Sequence, residues 1–442
     1  MQYKKAVVDD IPKNEKEIIF VSNLPEEFQV TNNTITIQSI YDQEDLNKLL
    51  KKLLKNNEKS FNFFISNKIL DKPLHNFLLE NPEILKESEE KPIEVYYSFQ
   101  MEEPKLVNTI KEDEWIKKIT LRKNANLKNQ MEYFCVGLFN SECSFYNRNQ
   151  EKIFKINENE NNNEENVCEI LHDICFYNTL GGENILLKAS RDENEAVKIY
   201  NIDLNKASYK QIYSVGKTDI EYVNALSVNA VDANFFCAGD TSGDVKIYKI
   251  PETKSTEDSN QNNKNKKRKI NVEKLYPEVV LEKCHDKREI KLIDWLNNQQ
   301  ILTTGDDFNI KIWNIHTKTN YLSMNANHKY VTSICNFGND TIISGHDDGR
   351  IKFWDLRSGK VSNIFVGHTK LVSAINYDGE DHTKFASVGL DGNLNIWDVR
   401  SNQAAIFSLK TDCEKNFGLS YNTSDYLICG GESAKINIYS SK

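Results

Sequence analysis

Three strings decide the fold of this chain: TTGDDFNIKIWN at 303–314, ISGHDDGRIKFWD at 343–355 and SVGLDGNLNIWD at 387–398. In each string an Asp stands six residues before a Trp, and a His precedes that Trp by 26 to 29 residues. One pattern is therefore written three times. Its members are His285, Asp307 and Trp313; His328, Asp348 and Trp354; and His368, Asp391 and Trp397.

The spacing of this repeat predicts the architecture. A unit of about 40–45 residues with a His near its start and a Trp-Asp end is typical of one β-propeller blade, and the strings resemble the WD40 family. Four more strand-like segments end in the same way on a Tyr. The seven end residues are Tyr146, Tyr200, Tyr248, Trp313, Trp354, Trp397 and Tyr439. Residues 114–442 are therefore predicted to form a seven-bladed WD40 propeller.

The repeated polar residues have a structural explanation. In a regular blade the His, a strand Ser or Thr, the Asp and the Trp form one hydrogen-bonded network, because buried polar groups need partners. We therefore interpret the nine residues as structural, and not as catalytic groups or ligands. The remaining blades carry Asn or Ser where the Asp is expected and should depend more on packing; these residues are Asn140, Asn194, Ser242 and Ser433.

No pattern typical of catalysis stands out in the sequence. A Ser/His/Asp order, a phosphate-binding glycine loop and a pair of acids with catalytic spacing are all missing from it. No ligand spacing typical of a metal site accompanies the His and Asp residues. The sequence predicts a non-enzymatic binding protein without a cofactor or a metal ion of its own.

The first hundred residues follow a different pattern. Residues 1–16 are polar and predicted to be flexible, whereas EIIFVS from Glu17 and TITIQS from Thr34 alternate like the strands of a hairpin. Asp42 is a suitable N-cap for a helix in QEDLNKLLKKLLK. The strand FNFFIS, the short helical LHNFLLEN and the strand IEVYYSF follow. This order predicts a small α+β, ubiquitin-like domain over 17–99, ahead of a mainly β domain.

The segment 100–113 joins the two predicted domains and contains LVNTI at 106–110. Propellers commonly close their ring by adding an N-terminal strand to the last blade, because an open sheet edge invites unwanted pairing. We therefore expect this segment to be a linker that contains the ring-closing strand.

Composition bounds the surroundings of the chain. The net charge of −9 argues against a protein that coats nucleic acid over its whole surface, since phosphate contacts require clustered Lys and Arg. Nine cysteines without a CxxC pair indicate a reducing compartment. No apolar run approaches the about 20 residues that a membrane-spanning helix needs. We expect a nuclear or cytosolic protein without a membrane partner.

One insert of the predicted propeller is basic. Residues 251–277 lie between the third and fourth blades and have a composition typical of disorder. A short Lys/Arg cluster in such a segment predicts a nuclear localisation signal, with an RNA-contacting patch or a solvated loop as alternatives. The cluster consists of Lys264, Lys266, Lys267, Arg268 and Lys269.

The two predicted domains together resemble a known family. A ubiquitin-like domain before a WD40 propeller is similar to the Notchless-like proteins and, more closely, to the WD-repeat subunit of the Pescadillo–block-of-proliferation (PeBoW-type) complex. The junction IEVYYSFQMEEPKLVNTIKEDEWIKKI at 93–119 and the place of the basic insert carry this similarity. The resemblance implies a factor for rRNA processing and large (60S) subunit assembly, located in the nucleus, nucleolus and nucleoplasm.

The resemblance also implies partners and a site residue. The propeller would bind a block-of-proliferation-type propeller protein, with a Pescadillo-type protein, on the pre-60S ribosomal particle, where any contact with rRNA is peripheral. The ubiquitin-like domain would be held by midasin, an AAA ATPase that binds a Mg²⁺. In the family a Glu before the last strand completes the coordination of that ion, and it matches Glu90 here, with Glu89 as the alternative. By the residues alone, KESEEK is a solvated acidic turn.

A second interpretation rests on WDLR at 354–357 and WDVR at 397–400. These strings resemble the docking box of WD40 substrate receptors in cullin-type ubiquitin ligases. Arg after Trp-Asp is also frequent in ordinary blades, so both interpretations stay open at this stage.

Overall fold

The computed structural model of the chain consists of two compact units. The first contains residues 1–102 and 399–402, and the second contains residues 103–398 and 403–442. Each unit has a hydrophobic core of its own. The structure describes residues 15–22, 28–30, 33–55, 59–66, 68–123, 131–157, 170–179, 182–191, 195–216, 222–251, 272–338, 340–377, 383–400, 405–421 and 426–440.

The first unit is a mixed sheet with three helices. Its elements are β1 (Glu15–Val21), β2 (Ile35–Gln38), α1 (Gln43–Leu54), β3 (Phe61–Ile65), β4 (Lys68–Ile69), α2 (Leu74–Glu80), α3 (Pro82–Glu90) and β5 (Ile93–Phe99). The strands lie in the order β2-β1-β5-β3-β4. The central pair, β1 and β5, runs parallel, and the other neighbours run antiparallel.

Helix α1 forms where the sequence predicts it. The carboxylate of Asp42 accepts a hydrogen bond from the amide of Asp45 at 3.0 Å, which caps the helix. Leu46 and Leu50 are buried, whereas Leu53 at the far end is 42% exposed. The buried face packs on the apolar side of the sheet, which is rich in aromatic residues: Phe20, Phe61, Phe63 and Tyr97.

Two elements of the first unit have no counterpart in the sequence prediction. Strand β4 is only two residues long, and α3 occupies the stretch that was interpreted as an acidic turn. Helix α3 has no fully buried residue, and its partly buried Ile84 and Leu85 pack against the core. Two adjacent apolar residues are too few to produce a helical period in the sequence.

The second unit consists of strands. The first half of the unit contains β6 (Leu106–Lys111), β7 (Ile116–Lys123), β8 (Met131–Leu138), β9 (Cys143–Asn147), β10 (Lys152–Ile156), β11 (Leu171–Asn178), β12 (Asn184–Ser190), β13 (Glu195–Asp203), β14 (Ser208–Gly216), β15 (Val223–Val228), β16 (Phe235–Asp240), β17 (Val245–Lys249), β18 (Glu273–Leu275) and β19 (Val279–Leu281). The second half contains β20 (Ile290–Asn297), β21 (Gln300–Gly305), β22 (Asn309–Asn314), β23 (Thr319–Asn325), β24 (Val331–Gly338), β25 (Thr341–His346), β26 (Arg350–Asp355), β27 (Lys360–Val366), β28 (Val372–Asn376), β29 (Lys384–Gly389), β30 (Asn393–Asp398), β31 (Phe407–Lys410), β32 (Asn416–Tyr421), β33 (Tyr426–Gly431) and β34 (Lys435–Ser440).

Within the described residues these strands form sheets of four or five strands. In chain order the sheets are β7–β10, β11–β14 with β18, β15–β17 with β19, β20–β23, β24–β27, β28–β31, and β32–β34 with β6. The first strands pack in succession, β7 on β11, then β15, β20, β24, β28 and β32, and β32 packs in turn on β7. The unit is thus mainly β, with repeated four-stranded sheets of the kind that WD40 repeats form.

The aromatic markers have equivalent places in these sheets. Each lies on the third strand of a different sheet: Tyr146 on β9, Tyr200 on β13, Tyr248 on β17, Trp313 on β22, Trp354 on β26, Trp397 on β30 and Tyr439 on β34. Among the residues that the structure describes, no helix is long and apolar enough to cross a membrane.

Two segments between the sheets bear on the predicted boundaries. Strand β6 comes from the segment 100–113 and pairs antiparallel with β34, with Ile110 opposite Ile436. Strand β18 lies inside the predicted disordered insert 251–277 and pairs with β14, so that prediction extends too far at its C-terminal end. The basic cluster at 264–269 lies outside the described residues.

Candidate functional site

Glu90 is the last residue of α3, and its side chain is exposed. Glu87 and Glu89 share this last helical turn, which contains no basic residue. The C-terminal end of a helix carries partial negative charge, so carboxylates placed there destabilise the helix and concentrate negative potential. This arrangement favours contact with a cation over the stability of the helix.

A cavity of about 500 Å³ lies beside this end of α3. Glu87, Glu90 and Glu94 line it, and Glu89 does not. On the β5 side of the cavity, the hydroxyl of Tyr96 donates a hydrogen bond to Oε2 of Glu94 at 2.9 Å, and this bond raises the pKa of Tyr96. The cavity therefore distinguishes the two candidate carboxylates, Glu90 and Glu89, because of these two only Glu90 lines it.

The charge of Glu90 is free of internal partners. In the part of the chain that the structure describes, its carboxylate makes no hydrogen bond and no ion pair. The neighbouring Ser88 accepts a hydrogen bond from Nζ of Lys16 at 3.0 Å and donates one to the carbonyl of Leu85 at 2.6 Å. These contacts fix the end of α3 to β1 and leave the Glu90 oxygens available.

The described residues do not build a metal site by themselves. They contain no group of three or more His, Cys, Asp or Glu side chains placed to hold an ion. Mg²⁺ requires about six oxygen ligands in octahedral geometry, which one carboxylate cannot supply. An exposed and unpaired carboxylate such as Glu90 can donate one oxygen to an ion that another protein holds.

The repeated His and Asp residues lie far along the chain, in the second unit. One complete network joins the connection before β20 to strands β21 and β22. His285 Nδ1 lies 2.7 Å from Oδ1 of Asp307, and its Nε2 lies 2.8 Å from Oγ1 of Thr303. The same Thr303 hydroxyl accepts a hydrogen bond from Nε1 of Trp313 at 3.0 Å. Burial would raise the pKa of Asp307, but the hydrogen bond and charge of His285 outweigh it and lower that pKa well below its usual range.

A second network of the same design occurs between β28 and β30. His368 Nδ1 lies 3.1 Å from both carboxylate oxygens of Asp391, and its Nε2 lies 2.8 Å from Oγ of Ser387. Trp397 donates to the same Ser387 hydroxyl at 2.8 Å. Burial acts to raise the pKa of Asp391, whereas the hydrogen bonds from His368 and from the amide of Thr369 lower it, to about 2.

The third set differs from the prediction, because His328 does not join Asp348 and Trp354. His328 lies on the connection before β24 with a φ of 57°, is exposed, and its ring packs edge-on against Phe308. His346 at the end of β25 takes its place: its Nε2 lies 2.9 Å from Oγ of Ser344, which accepts from Nε1 of Trp354 at 2.7 Å. Asp348 instead accepts from the amide of Arg350.

The predicted Asn and Ser replacements in the other sheets make different contacts. Asn140 donates to Glu142 at 2.7 Å, Ser242 donates to Asp240 at 2.6 Å, and Ser433 lies 2.7 Å from the thiol of Cys413. Asn194 lies outside the described residues. The WDLR candidate Arg357 is exposed, with its Nε 3.7 Å from Asp340 and 3.8 Å from Asp355.

Comparison with known proteins identifies both units. A model of the NLE (NUC135) domain matches residues 17–78, and the WD domain, G-beta repeat, matches residues 278–314, 320–355 and 359–398. One similar protein is the E3 ubiquitin-protein ligase COP1 of Arabidopsis thaliana, which is 23% identical over 62% of this chain and 38% of that protein. Its similarity therefore covers only part of each chain.

Two other proteins are similar over nearly the full length. The ribosome biogenesis protein WDR12 homolog of Trichoplax adhaerens is 23% identical over 94% of this chain and 94% of that protein. The WDR12 homolog of Nematostella vectensis is 20% identical over 93% of this chain and 96% of that protein. These matches confirm the resemblance found in the sequence: the chain has an NLE-domain match and WD40 repeats, and over nearly its full length it is similar to the WDR12 homologues, the WD-repeat proteins of the PeBoW type.

Proposed function

We propose that this chain is a non-enzymatic assembly factor for the large ribosomal subunit. The near full-length similarity to WDR12 homologues, which are named as ribosome biogenesis proteins, supports that role. The sheets of the second unit act as the seven blades of a closed propeller that binds a block-of-proliferation-type propeller protein and a Pescadillo-type protein. The first unit is a ubiquitin-like handle by which midasin releases the complex from the precursor particle.

One observation supports the proposed binding of midasin to the first unit. The Glu90 carboxylate is exposed, unpaired in the described chain, and located at the negative end of α3. Mg²⁺ prefers anionic oxygen ligands, and within the described residues the Glu90 carboxylate forms no ion pair with a Lys or Arg. Glu90 lines the cavity and Glu89 does not. Glu90 is therefore the carboxylate that completes the Mg²⁺ coordination in midasin.

The proposed location is the nucleus, chiefly the nucleolus and nucleoplasm, where large-subunit precursors are assembled. The basic cluster at 264–269 acts as the import signal, since short runs of Lys and Arg suit an import receptor. Replacing all five basic residues of the cluster by Gln should leave a fluorescent fusion of the full chain in the cytoplasm.

Affinity purification of the tagged full chain from its own cells tests the proposal. We expect large-subunit precursor proteins, with the two complex partners among them, at near-stoichiometric amounts. A preparation that contains a cullin adaptor and lacks ribosomal precursor proteins would contradict the assembly role.

The similarity to an E3 ubiquitin-protein ligase favours a second candidate, a substrate receptor of a cullin-type ligase. Arg357, exposed in its WDLR string, is the residue that such a receptor would use, with Arg400 in WDVR. Changing both to Ala separates the two functions. An assembly scaffold keeps its partners in the double variant, whereas a ligase receptor loses its adaptor.

A further inference from the structure

A ring of equivalent residues marks one face of the second unit. In successive sheets, the carbonyl of the residue just before the first strand accepts a hydrogen bond from the amide that follows the second strand. Trp115 accepts from Phe139 at 3.0 Å, Ile170 from Arg191 at 3.1 Å, and Tyr222 from Thr241 at 3.0 Å. These residues therefore lie at the same end of the first strands of their sheets.

This end opens onto a large cavity. The cavity has a volume of about 870 Å³ and is lined by the first strands of all the sheets in the unit, from β7 to β32. Lys117, His172, Arg191 and Tyr222 line its mouth on this side. The face that we call the β7–β15 mouth consists of these four residues and Trp115.

The β7–β15 mouth exposes apolar surface. Trp115 is 43% exposed, and Ile170 beside it is 45% exposed. Trp, Tyr and Arg are the residue types that most often dominate the energy of protein–protein interfaces, because they bury large areas and still offer polar groups.

The same mouth carries two cations, Lys117 and Arg191, and both lie against aromatic rings. Lys117 Nζ lies 5.0 Å from the centre of the Phe139 ring, and the Arg191 guanidinium lies 4.5 Å from that of Tyr222. Neither cation has an ion pair within the described residues. Two other lysines that line the cavity are different, because Lys118 is paired with Asp173 and Lys291 with Glu289.

His172 completes this cluster. Its ring stacks on Tyr222 at 12°, with the centres 6.5 Å apart, and its Nε2 is buried without a hydrogen-bond partner. Burial lowers the pKa of His172, and the positive charges of Lys117 and Arg191 lower it further. Lys117 and Arg191 thus lie close enough to His172 to disfavour its protonated form, and an incoming anion would offset that effect.

We propose that the β7–β15 mouth is the docking surface for an acidic segment of a partner protein that also carries apolar side chains. Carboxylates of the segment pair with Lys117 and Arg191, one of them accepts a hydrogen bond from His172 Nε2, and an apolar side chain covers Trp115. Charge complementarity selects the partner: the mouth is locally basic in a chain whose net charge is −9.

A zero-length carbodiimide reagent tests this directly, because it joins a lysine amine only to a carboxylate in contact with it. The full chain is purified from its own cells with its partners, treated with the reagent, and digested for mass spectrometry. We expect Lys117 coupled to an Asp or Glu of an identified partner protein. The amide bond forms with loss of water, which the carbodiimide takes up.

Charge reversal supplies the controls. In Arg191→Glu the coupled peptide should fall about tenfold, a loss of about 1.4 kcal/mol of binding, and Trp115→Ala should lower it in the same direction. Lys360→Glu, with the same charge change on the exposed start of β27, should leave it unchanged. Thermal melts of all three variants establish that each is folded.

Three results would overturn the docking surface: coupling of Lys117 to acids of this chain itself, ultraviolet crosslinking of Trp115 or Tyr222 to RNA, or unchanged coupling in Arg191→Glu. Sedimentation of the same preparations with ribosomal precursor particles is recorded in parallel. If the wild-type chain sediments with the particles but Lys117 does not couple, only this proposal fails. If it does not sediment with them, the assembly role fails.

Discussion

Glu112, the residue directly after β6, accepts a hydrogen bond from the hydroxyl of Tyr146, the aromatic marker of the first sheet of the second unit. Strand β6 belongs to the last sheet, so this contact joins the last sheet to the first. Glu112 is 3% exposed, and Lys152 pairs with its second oxygen at 2.8 Å. Burial, and then the bond to Glu112, raise the pKa of Tyr146 far above its usual range, which keeps its hydroxyl protonated.

Replacing Glu112 by Ala should destabilise the second unit by about 3 kcal/mol, because the Tyr146 hydroxyl is left buried without an acceptor and Lys152 loses its partner. Urea unfolding of the full chain, followed by tryptophan fluorescence, measures the change. Asp113→Ala is the matched control: its side chain is 85% exposed and contacts Lys155 at 3.4 Å, so a change within about 0.5 kcal/mol is expected.

A double-mutant cycle sharpens this prediction. Glu112→Ala and Tyr146→Phe together should cost less than the sum of the single changes, with a coupling of about 1 kcal/mol or more. Additive effects would show that the two side chains do not jointly stabilise the contact between the last sheet and the first.

His368 and His328 occupy corresponding places in the sequence repeat but should respond differently to substitution. His368→Ala leaves Asp391 and Ser387 without their buried partner, at a cost of about 2–3 kcal/mol. His328→Ala removes an exposed ring and should change the free energy of unfolding by no more than about 0.5 kcal/mol. Thermal or urea unfolding measures both, and equal losses would contradict the observed networks.

His346 should make the unfolding free energy depend on pH. Burial, followed by repulsion from Lys352, lowers its pKa from 6.5 to about 4. Because the unfolded chain then binds this proton more readily than the folded chain, stability is full above pH 6.5 and is lost as the pH falls toward 4. The loss from this group should reach about 2 kcal/mol at pH 5.

The variant His346→Gln isolates that contribution. The difference in unfolding free energy between wild type and variant should shrink by about 2 kcal/mol between pH 7 and pH 5. A difference that stays constant across this interval would show that His346 titrates normally in the folded chain.

The sequence predicts strands and helices well where the apolar side chains recur with a clear period. All seven aromatic markers lie on third strands, and Asp42 caps α1 as expected, because strand alternation and capping are local properties of the chain. The histidine that shares a buried hydrogen-bond network with Trp354 could not be predicted from such local properties. His328 has the right spacing from Trp354, but only the packing of β25 shows that His346 lies beside Ser344.

The residues that join distant segments were the hardest to predict. Glu112 lies in the run KEDE, which looks like a solvated acidic stretch, and only the pairing of β6 with β34 brings it to Tyr146. Helix α3 was missed because its acidic end has no apolar period. The acidic character of that end is nevertheless visible in the sequence as KESEEK, and the proposed midasin-binding site depends on it.

Glu90 carries the central claim, and a binding measurement with purified midasin tests it most directly. Wild-type full chain should bind midasin in the presence of Mg²⁺, and removal of Mg²⁺ with a chelator should abolish binding. Glu90→Ala should reduce binding at least about tenfold. Because a carboxylate at the end of α3 opposes the helix dipole, this variant should unfold no more easily than wild type.

Two variants of the same helix serve as controls for that measurement. Glu83→Ala, in the first turn of α3, and Glu89→Ala, next to Glu90 but outside the cavity, should bind midasin as the wild-type chain does. Loss of binding in Glu90→Ala alone is the result expected. Unchanged binding of a folded Glu90→Ala chain would contradict the account.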